Sequence, residues 1–201
     1  VSRVQGVYGC ATLDEWVAAL VRALEHVDGV PGLIVPDNAR ALIADPDLPA
    51  TVLGHLERRG LPPTALVIAV DAATVSDGAQ VRPALTLLRA QGAEVILTGV
   101  VEPSAATVLL RTLPLSGISL HSSVTEAMPT HPVPGAAAVA ACRRMGLRCL
   151  ADGVTTTEEL DAARRLGIDA VSGPLVGRPA RAREISTRYS TQARTPVGRQ
   201  P

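Results

Sequence analysis

Three side chains that can bind a metal ion stand near the ends of predicted strands: Asp71, His121 and Asp152. Because alternate residues of a strand share a face, Ala69 and Asp71 lie on the same side of theirs. Carboxylate and imidazole groups bind several divalent metals, so these three residues could form a metal site if the strand ends converge. The alternative, which we favour, is that Asp71 and Asp152 cap the turns and helices that follow, while His121 is a partly exposed loop residue.

The three cysteines, Cys10, Cys142 and Cys149, show neither metal-type spacing nor an even number. Cys142 falls in a predicted helix and Cys149 in the next predicted strand, so the two could face each other. We expect reduced thiols that pack in the core of a cytoplasmic protein. The sequence has no G-x-S-x-G motif, phosphate-binding loop or dinucleotide fingerprint, so the common enzyme classes find no support.

All 19 basic side chains other than histidine are arginines, and they balance 19 acids. Balanced charge predicts no binding to nucleic acid or to a membrane surface, and no apolar stretch is long enough to be a membrane segment. Arginine does not replace lysine where a compact ammonium must polarise water beside a metal. Phenylalanine is also absent, and few other rings remain to stack on purine bases.

Strand and helix patterns alternate along the 201 residues, which predicts a mainly parallel sheet covered by helices. The predicted strands are residues 33–35, 66–70, 95–97, 118–120, 148–150 and 170–172, with a weaker one at 4–8. The predicted helices are residues 13–27, 49–59, 80–91, 105–113, 135–145 and 157–166. These patterns alone fit either a closed barrel or an open doubly wound sheet.

Three blocks of sequence resemble the motifs of a known family, and this resemblance favours the barrel over the doubly wound sheet. Residues 151–179 begin ADGVTTTEEL, residues 39–75 contain ARALIADPDLP and GLPPTALVIAVD, and residues 88–121 begin LRAQGAEVILTGV. Their order and spacing resemble the A-E-G-V-E-T, G-L-P-P and L-D-D-F-G motifs of EAL-family cyclic-di-GMP phosphodiesterase domains. The resemblance implies an α/β fold, a modified TIM-type (β/α)8 barrel that is shortened or incomplete at its N-terminal end.

Members of that family bind two divalent cations at the C-terminal mouth of the barrel, where the metals activate water. Their metal-binding and catalytic positions correspond here to Pro36, Ala69, Thr98, Gly99, Ser119, His121, Asp152, Thr155 and Ser172. Ser119 replaces the family lysine, and Asp152 is the one carboxylate left among these positions. The resemblance therefore implies no catalytic residue, no metal and no cofactor, and Ala69, Val100 and Pro36 predict a more apolar mouth.

Three functions remain open. The first is a catalytically inactive EAL-like domain that acts as a regulatory protein-interaction module in bacterial signalling, through residues 100–106 or 128–134. Its partner would be another protein, a neighbouring signalling domain or a second copy in a homodimer. The second is a non-hydrolysing cyclic-di-GMP receptor, in which Arg178 meets a phosphate. The third is an enzyme that uses a different metal or substrate at Asp71, His121 and Asp152.

The ends of the chain are expected to differ from its centre. We assign residues 1–185 to the barrel domain, and we expect the polar residues 186–201 to form a disordered tail. The segment QGVYGCATL places Tyr8 at the glutamate that gives the family its name, and the stretch that follows in the family is then missing before Trp16.

Overall fold

The computed structural model describes residues 47–58, 60–73, 75, 79–102, 104 and 106–177. Its helices are α1 (Leu48–Arg58), α2 (Arg82–Ala90), α3 (Thr107–Thr112), α4 (Ser122–Ala127), α5 (Val133–Met145) and α6 (Thr157–Leu166), with a 3-10 turn at Pro63–Ala65. The strands are β1 (Val67–Asp71), β2 (Glu94–Val100), β3 (Gly117–Leu120), β4 (Arg148–Ala151) and β5 (Ala170–Val171).

The five described strands form one parallel sheet in which each strand pairs with the next in sequence. A doubly wound sheet reverses its strand order at a switch point, whereas the wall of a (β/α) barrel keeps the order of the chain. The sheet therefore has the topology of a TIM-type barrel wall, as the sequence predicted.

The two faces of this sheet differ in what they contact. Ile118 and Leu120 of β3 join the main hydrophobic core, together with residues such as Leu85 and Leu88 of α2. The intervening Ser119 is 1% exposed and lies outside that apolar cluster. The same alternation places Ala69, Ile96 and Leu150 away from the helix-covered core. Period-two alternation thus separates a helix-packed face from an inner face, and the mouth positions belong to the inner face.

Local signals in the sequence account for the bounds of the later helices. Thr156 and Glu159 form a reciprocal capping box at the start of α6, and Gly167 ends that helix in a left-handed conformation at φ 77°. Helix α5 begins at Val133, two residues before the predicted start, because Pro134 is well suited to a first helical turn.

Helix α4 was not predicted. Its six residues, SSVTEA, are too few to show an apolar period, and the feature that starts it is a side chain: His121 Nδ1 accepts a hydrogen bond from the Ser123 amide at 3.2 Å. Such a cap depends on local geometry that propensity does not reveal.

Several predictions fall outside the described residues and are not compared with the structure. They are the strands at 4–8 and 33–35, the helix at 13–27, the tail at 186–201 and the assignments of Tyr8, Cys10, Trp16, Pro36 and Arg178. Among the helices that the structure does describe, none is long and apolar enough to cross a membrane.

Candidate functional site

The C-terminal ends of the strands bring the predicted mouth positions to one edge of the sheet. Asp71 pairs with Thr98 across β1 and β2, and Ser119 pairs with Leu150 across β3 and β4. Asp152 follows β4 directly, and Ser172 follows β5. Residues that are far apart in sequence therefore lie on adjacent strand ends.

Asp152 is held by hydroxyl groups from both neighbouring strands. Ser119 Oγ donates to Asp152 Oδ2 at 2.6 Å, and Ser172 Oγ donates to Asp152 Oδ1. The main chain supports the same arrangement, because the Asp152 amide donates to the Leu120 carbonyl at 3.1 Å and the Ser172 amide to the Ala151 carbonyl at 2.9 Å. We call Ser119, Asp152 and Ser172 the Asp152 cluster. Each carboxylate oxygen of the cluster already accepts a hydrogen bond from the protein.

The prediction that Asp152 caps the following helix is wrong. Helix α6 is capped by Thr156, whose side chain accepts from the Glu159 amide, and three residues lie between Asp152 and that cap. The Asp152 carboxylate turns to the inner face instead, where the two serine hydroxyls stabilise its charge.

Two glycines shape the loops beside the Asp152 cluster. Gly153 has φ +81°, and a Cβ on it would lie 2.5 Å from Ser122 Cβ. Gly173 has φ +143°, and a Cβ there would overlap the backbone of Val154, whose amide donates to the Ser172 carbonyl at 2.8 Å. Only glycine fits these approaches, which fixes the path of the chain after Asp152 and Ser172.

Asp71 is used by its own turn, as predicted. Its Oδ1 accepts from the Ala73 amide at 2.7 Å, which is an Asx turn at the end of β1. Gly99 lies alongside with φ +72°, and a Cβ on Gly99 would be 3.4 Å from Asp71 Oδ1. Thr98 Oγ1 is 3.4 Å from the Val70 carbonyl, to which it donates.

A bulge in β2 overturns one part of the predicted mouth. The register between β2 and β3 shifts between Leu97 and Val100, with Gly99 inside the shift. One extra residue moves the next side chain to the opposite face, so Val100 joins the hydrophobic core and does not line the mouth. Ala69, 2% exposed, stays on the inner face.

The three residues proposed as a metal site do not come together. His121 is exposed and caps α4, Asp71 closes its own turn, and Asp152 binds the two serines. Among the described residues, no group of three or more histidine, cysteine, aspartate or glutamate side chains could hold a metal ion. The metal-site hypothesis for Asp71, His121 and Asp152 is therefore wrong for this structure.

Thr155 lies next to the buried Glu159, at the helix start that the sequence predicted from its threonines and acids. The Thr155 amide donates to Glu159 Oε2 at 2.7 Å, and its hydroxyl lies 3.1 Å from Glu159 Oε1. The backbone hydrogen bond from Thr155 is the largest of several donors that lower the pKa of Glu159, against the opposing effect of burial. Thr156 and Glu159 have the T-x-x-E spacing of a capping box, and that box places the Glu159 carboxylate beside the Thr155 amide. Thr155 therefore stabilises the first turn of α6 through its hydrogen bonds to Glu159.

Cys142 and Cys149 are both buried and unbridged, as predicted. A hydrogen bond to Cys142, with burial as the second cause, raises the pKa of the Cys149 thiol. The two thiols thus pack against each other between α5 and β4, on the helix-covered side of the sheet and away from the mouth.

Within the part of the chain that the structure describes, the groups at this edge of the sheet do not provide the set of carboxylates expected around a pair of divalent cations. Hard cations need several oxygen ligands, most of them carboxylates. The described positions provide alanine, threonine, glycine and serine, and the two aspartates at this edge bind hydroxyl or amide groups of the protein itself.

Comparisons with solved structures show the same fold. The chain superimposes on the calcium and cyclic-di-GMP complex of BlrP1 from Klebsiella pneumoniae with a TM-score of 0.72 and 23% identity, covering 85% of this chain and 44% of that one. The EAL domain of DcpA from Mycobacterium smegmatis gives a TM-score of 0.70 at 22% identity, over 90% and 81% of the two chains. The FimX EAL domain of Xanthomonas citri in complex with c-diGMP gives 0.70 at 17%, over 82% and 67%.

A short stretch is similar to a protein of another kind. Over 44 residues the chain is 52% identical to a candidate transposase for insertion sequence IS408 from Burkholderia multivorans. The match covers 20% of this chain and 8% of that protein, so the chain spans a small part of the curated relative that it matches.

The sequence pattern that defines the EAL domain matches residues 11–179, which is most of the chain. That match agrees with the parallel sheet in chain order and with the mouth positions at its C-terminal edge. The protein therefore belongs to the EAL domain family.

Proposed function

We propose that this protein is a catalytically inactive EAL domain that acts as a regulatory protein-interaction module in bacterial cyclic-di-GMP signalling. The observation that carries the proposal is the Asp152 cluster, in which both oxygens of the remaining family-position carboxylate accept serine hydroxyls. We further propose a cytoplasmic location, which is consistent with two buried cysteines that remain free.

The energetics of the Asp152 cluster support this proposal. A hydrogen bond to a charged group contributes about 1.5–3 kcal/mol, and the two serine bonds leave each Asp152 oxygen with fewer lone pairs and less charge for a metal. Ser119 is 1% exposed, and a metal that displaced its hydroxyl would leave that group without its partner in a site closed to water. The carboxylate is therefore better suited to joining β3, β4 and β5 than to coordinating a cation.

The alternative is a receptor that binds cyclic-di-GMP without hydrolysing it. It is supported by the FimX EAL domain of Xanthomonas citri, a structure of the same fold in complex with c-diGMP. The charge of the site argues against this alternative, because phosphate groups that leave water need positive charge nearby. No positive charge is supplied by the strand-end positions Asp71, Thr98, Ser119, Asp152 and Ser172.

Calorimetry with cyclic-di-GMP, with and without magnesium or calcium, tests the proposal, together with a phosphodiesterase assay on the same sample. We expect no heat of binding and no hydrolysis. Metal-dependent hydrolysis that is abolished in Asp152→Ala but retained in Asp161→Ala would overturn the proposed inactivity. Micromolar binding without hydrolysis would replace the proposal by the receptor alternative.

Two surfaces fit the interaction role predicted from the sequence. Val101 and Val108 are 51% and 58% exposed in and beside residues 100–106. Val133, in the segment 128–134, is 75% exposed. Apolar side chains exposed to this extent are suited to a partner, a neighbouring domain or a second copy. Light scattering on Val108→Asp and Val133→Asp tests for a homodimer, because only the substitution inside the dimer contact would lower the measured mass.

A further inference from the structure

The end of the sheet opposite the mouth is rich in arginine. Helices that connect parallel strands run back across the sheet, so their C-termini lie together at the N-terminal edge of the strands. The last turns of these helices carry Arg58, Arg89, Arg111, Arg143, Arg144, Arg164 and Arg165. One cation in a last turn is expected from the helix dipole, but α5 and α6 each have two.

The C-terminal ends of α5 and α6 lie close to each other. The Arg143 guanidinium occupies the space where a side chain on Gly167, the residue that ends α6, would begin. Arg148, at the start of β4, follows the end of α5 and is exposed. We call Arg143, Arg144, Arg148, Arg164 and Arg165 the arginine face.

The charges of this face are only partly neutralised. Arg148 pairs with Glu94, and Arg164 pairs with Asp161 at 3.3 Å. Within the described part of the chain, Arg143, Arg144 and Arg165 have no carboxylate within ion-pair distance, and all three are exposed. These three guanidinium groups therefore remain open to an external anion.

We propose that the arginine face binds an acidic segment of a partner protein, which rests on the proposed role as a protein-interaction module. A guanidinium binds a carboxylate through two parallel hydrogen bonds, so each free arginine fits one aspartate or glutamate side chain. Met145 is 42% exposed and directly follows Arg144, which adds an apolar contact. Arginine and methionine are both enriched in protein interfaces.

The chemistry of the face favours a protein over nucleic acid. Glu94, Asp161 and Asp169 stand among or beside the arginines and would repel a continuous phosphate backbone. The described residues also contain no phenylalanine, tyrosine or tryptophan, so no ring is present there to stack on a base. An acidic segment can instead place its carboxylates opposite the three free arginines alone.

The test measures the affinity of a fluorescein-labelled peptide that alternates glutamate and glycine, by fluorescence anisotropy at low and high salt. We compare wild type with Arg144→Gln/Arg165→Gln, and with a control, Arg82→Gln, whose exposed arginine is the first residue of α2 and lies outside the arginine-rich end. We expect about tenfold weaker binding in the first variant, from two lost exposed ion pairs, and little change in the control. Equal melting temperatures establish that all three proteins are folded.

Three outcomes would overturn the proposal: no binding of the peptide to wild type, equal weakening in both variants, or tighter binding of a DNA duplex than of the peptide. The proposed inactivity is tested separately, because cyclic-di-GMP would bind at the opposite edge of the sheet. If calorimetry showed that cyclic-di-GMP binds to Arg144→Gln/Arg165→Gln, this result would contradict the proposed function. It would not contradict the proposal that the arginine face binds an acidic segment.

Discussion

The Asp152 cluster should contribute measurably to folding stability, and a double-mutant cycle on Ser119 and Asp152 isolates that contribution. The cycle consists of Ser119→Ala, Asp152→Ala and the double variant. Its interaction energy reports the hydrogen bond between Ser119 Oγ and Asp152 Oδ2, which is 2.6 Å long in the structure.

The expected magnitudes follow from burial and charge. Ser119→Ala removes one hydrogen bond to a carboxylate, which should cost about 2 kcal/mol. Asp152→Ala removes the acceptor of two hydroxyls and leaves the Ser119 hydroxyl, 1% exposed, without its partner, so it should cost about 3 kcal/mol. Because that hydroxyl is absent in the double variant, the interaction energy should be about 1.5 kcal/mol.

Equilibrium urea unfolding followed by far-UV circular dichroism provides the free energies. The matched control is the same cycle on Ser104 and Glu102, an exposed serine–carboxylate pair whose oxygens are 3.5 Å apart. That pair should give an interaction energy near zero, since exposed polar pairs contribute little.

A Ser119/Asp152 interaction energy no larger than that of the exposed pair would mean that this hydrogen bond does not stabilise the fold. A stabilising effect of Asp152→Ala would contradict the expected stabilisation more strongly, because it would mean that the carboxylate is strained for another purpose, such as binding a ligand.

Three other substitutions follow from the described contacts. Glu159→Gln should lower the free energy of unfolding at neutral pH, because hydrogen-bond donors around Glu159 lower the pKa of its carboxyl. The difference in unfolding free energy between variant and wild type should shrink as the pH falls from above 4.5 through that lowered pKa. Urea unfolding at a series of pH values measures this difference. Thr125→Val should be neutral or stabilising by up to about 1 kcal/mol in thermal unfolding, because the buried Thr125 hydroxyl has no hydrogen-bond partner among the described residues. Gly173→Ala should cost several times the ~1 kcal/mol expected for Gly146→Ala, because both glycines have positive φ but only Gly173 lies against backbone.

Each of these has an outcome that contradicts it. For Glu159, a stability difference that grows as the pH falls would mean that the folded state does not favour the ionised carboxyl. For Thr125, Thr125→Ser serves as the comparison: it keeps the hydroxyl and loses a methyl, so it should be less stable than Thr125→Val. For the glycines, equal costs at the two positions would show that the loop beside Val154 can move aside.

Much of the fold could be predicted from the sequence, because its signals are local. Helix α6 has the predicted bounds, since its cap, its acidic first turn and Gly167 are all read from neighbouring residues. The described strands overlap their predictions, since buried β-branched runs bounded by turn residues are typical of parallel strands. The helix α4 and the bulge at Gly99 were missed, because a side-chain cap and a register shift leave no periodic pattern.

The candidate site also has features that the sequence predicts and features that only the tertiary structure reveals. The sequence by itself determined the family resemblance and the absence of lysine, and it predicted the loss of carboxylates at the matching positions, because these depend only on which residues are present. The tertiary structure decided that Asp152 binds Ser119 and Ser172, that Asp71 closes its own turn and that Val100 leaves the mouth. Those outcomes depend on strand register and on distances between residues that are 20 and 33 positions apart in the chain. Such contacts are set by how the strands pair, and residue type does not encode them locally.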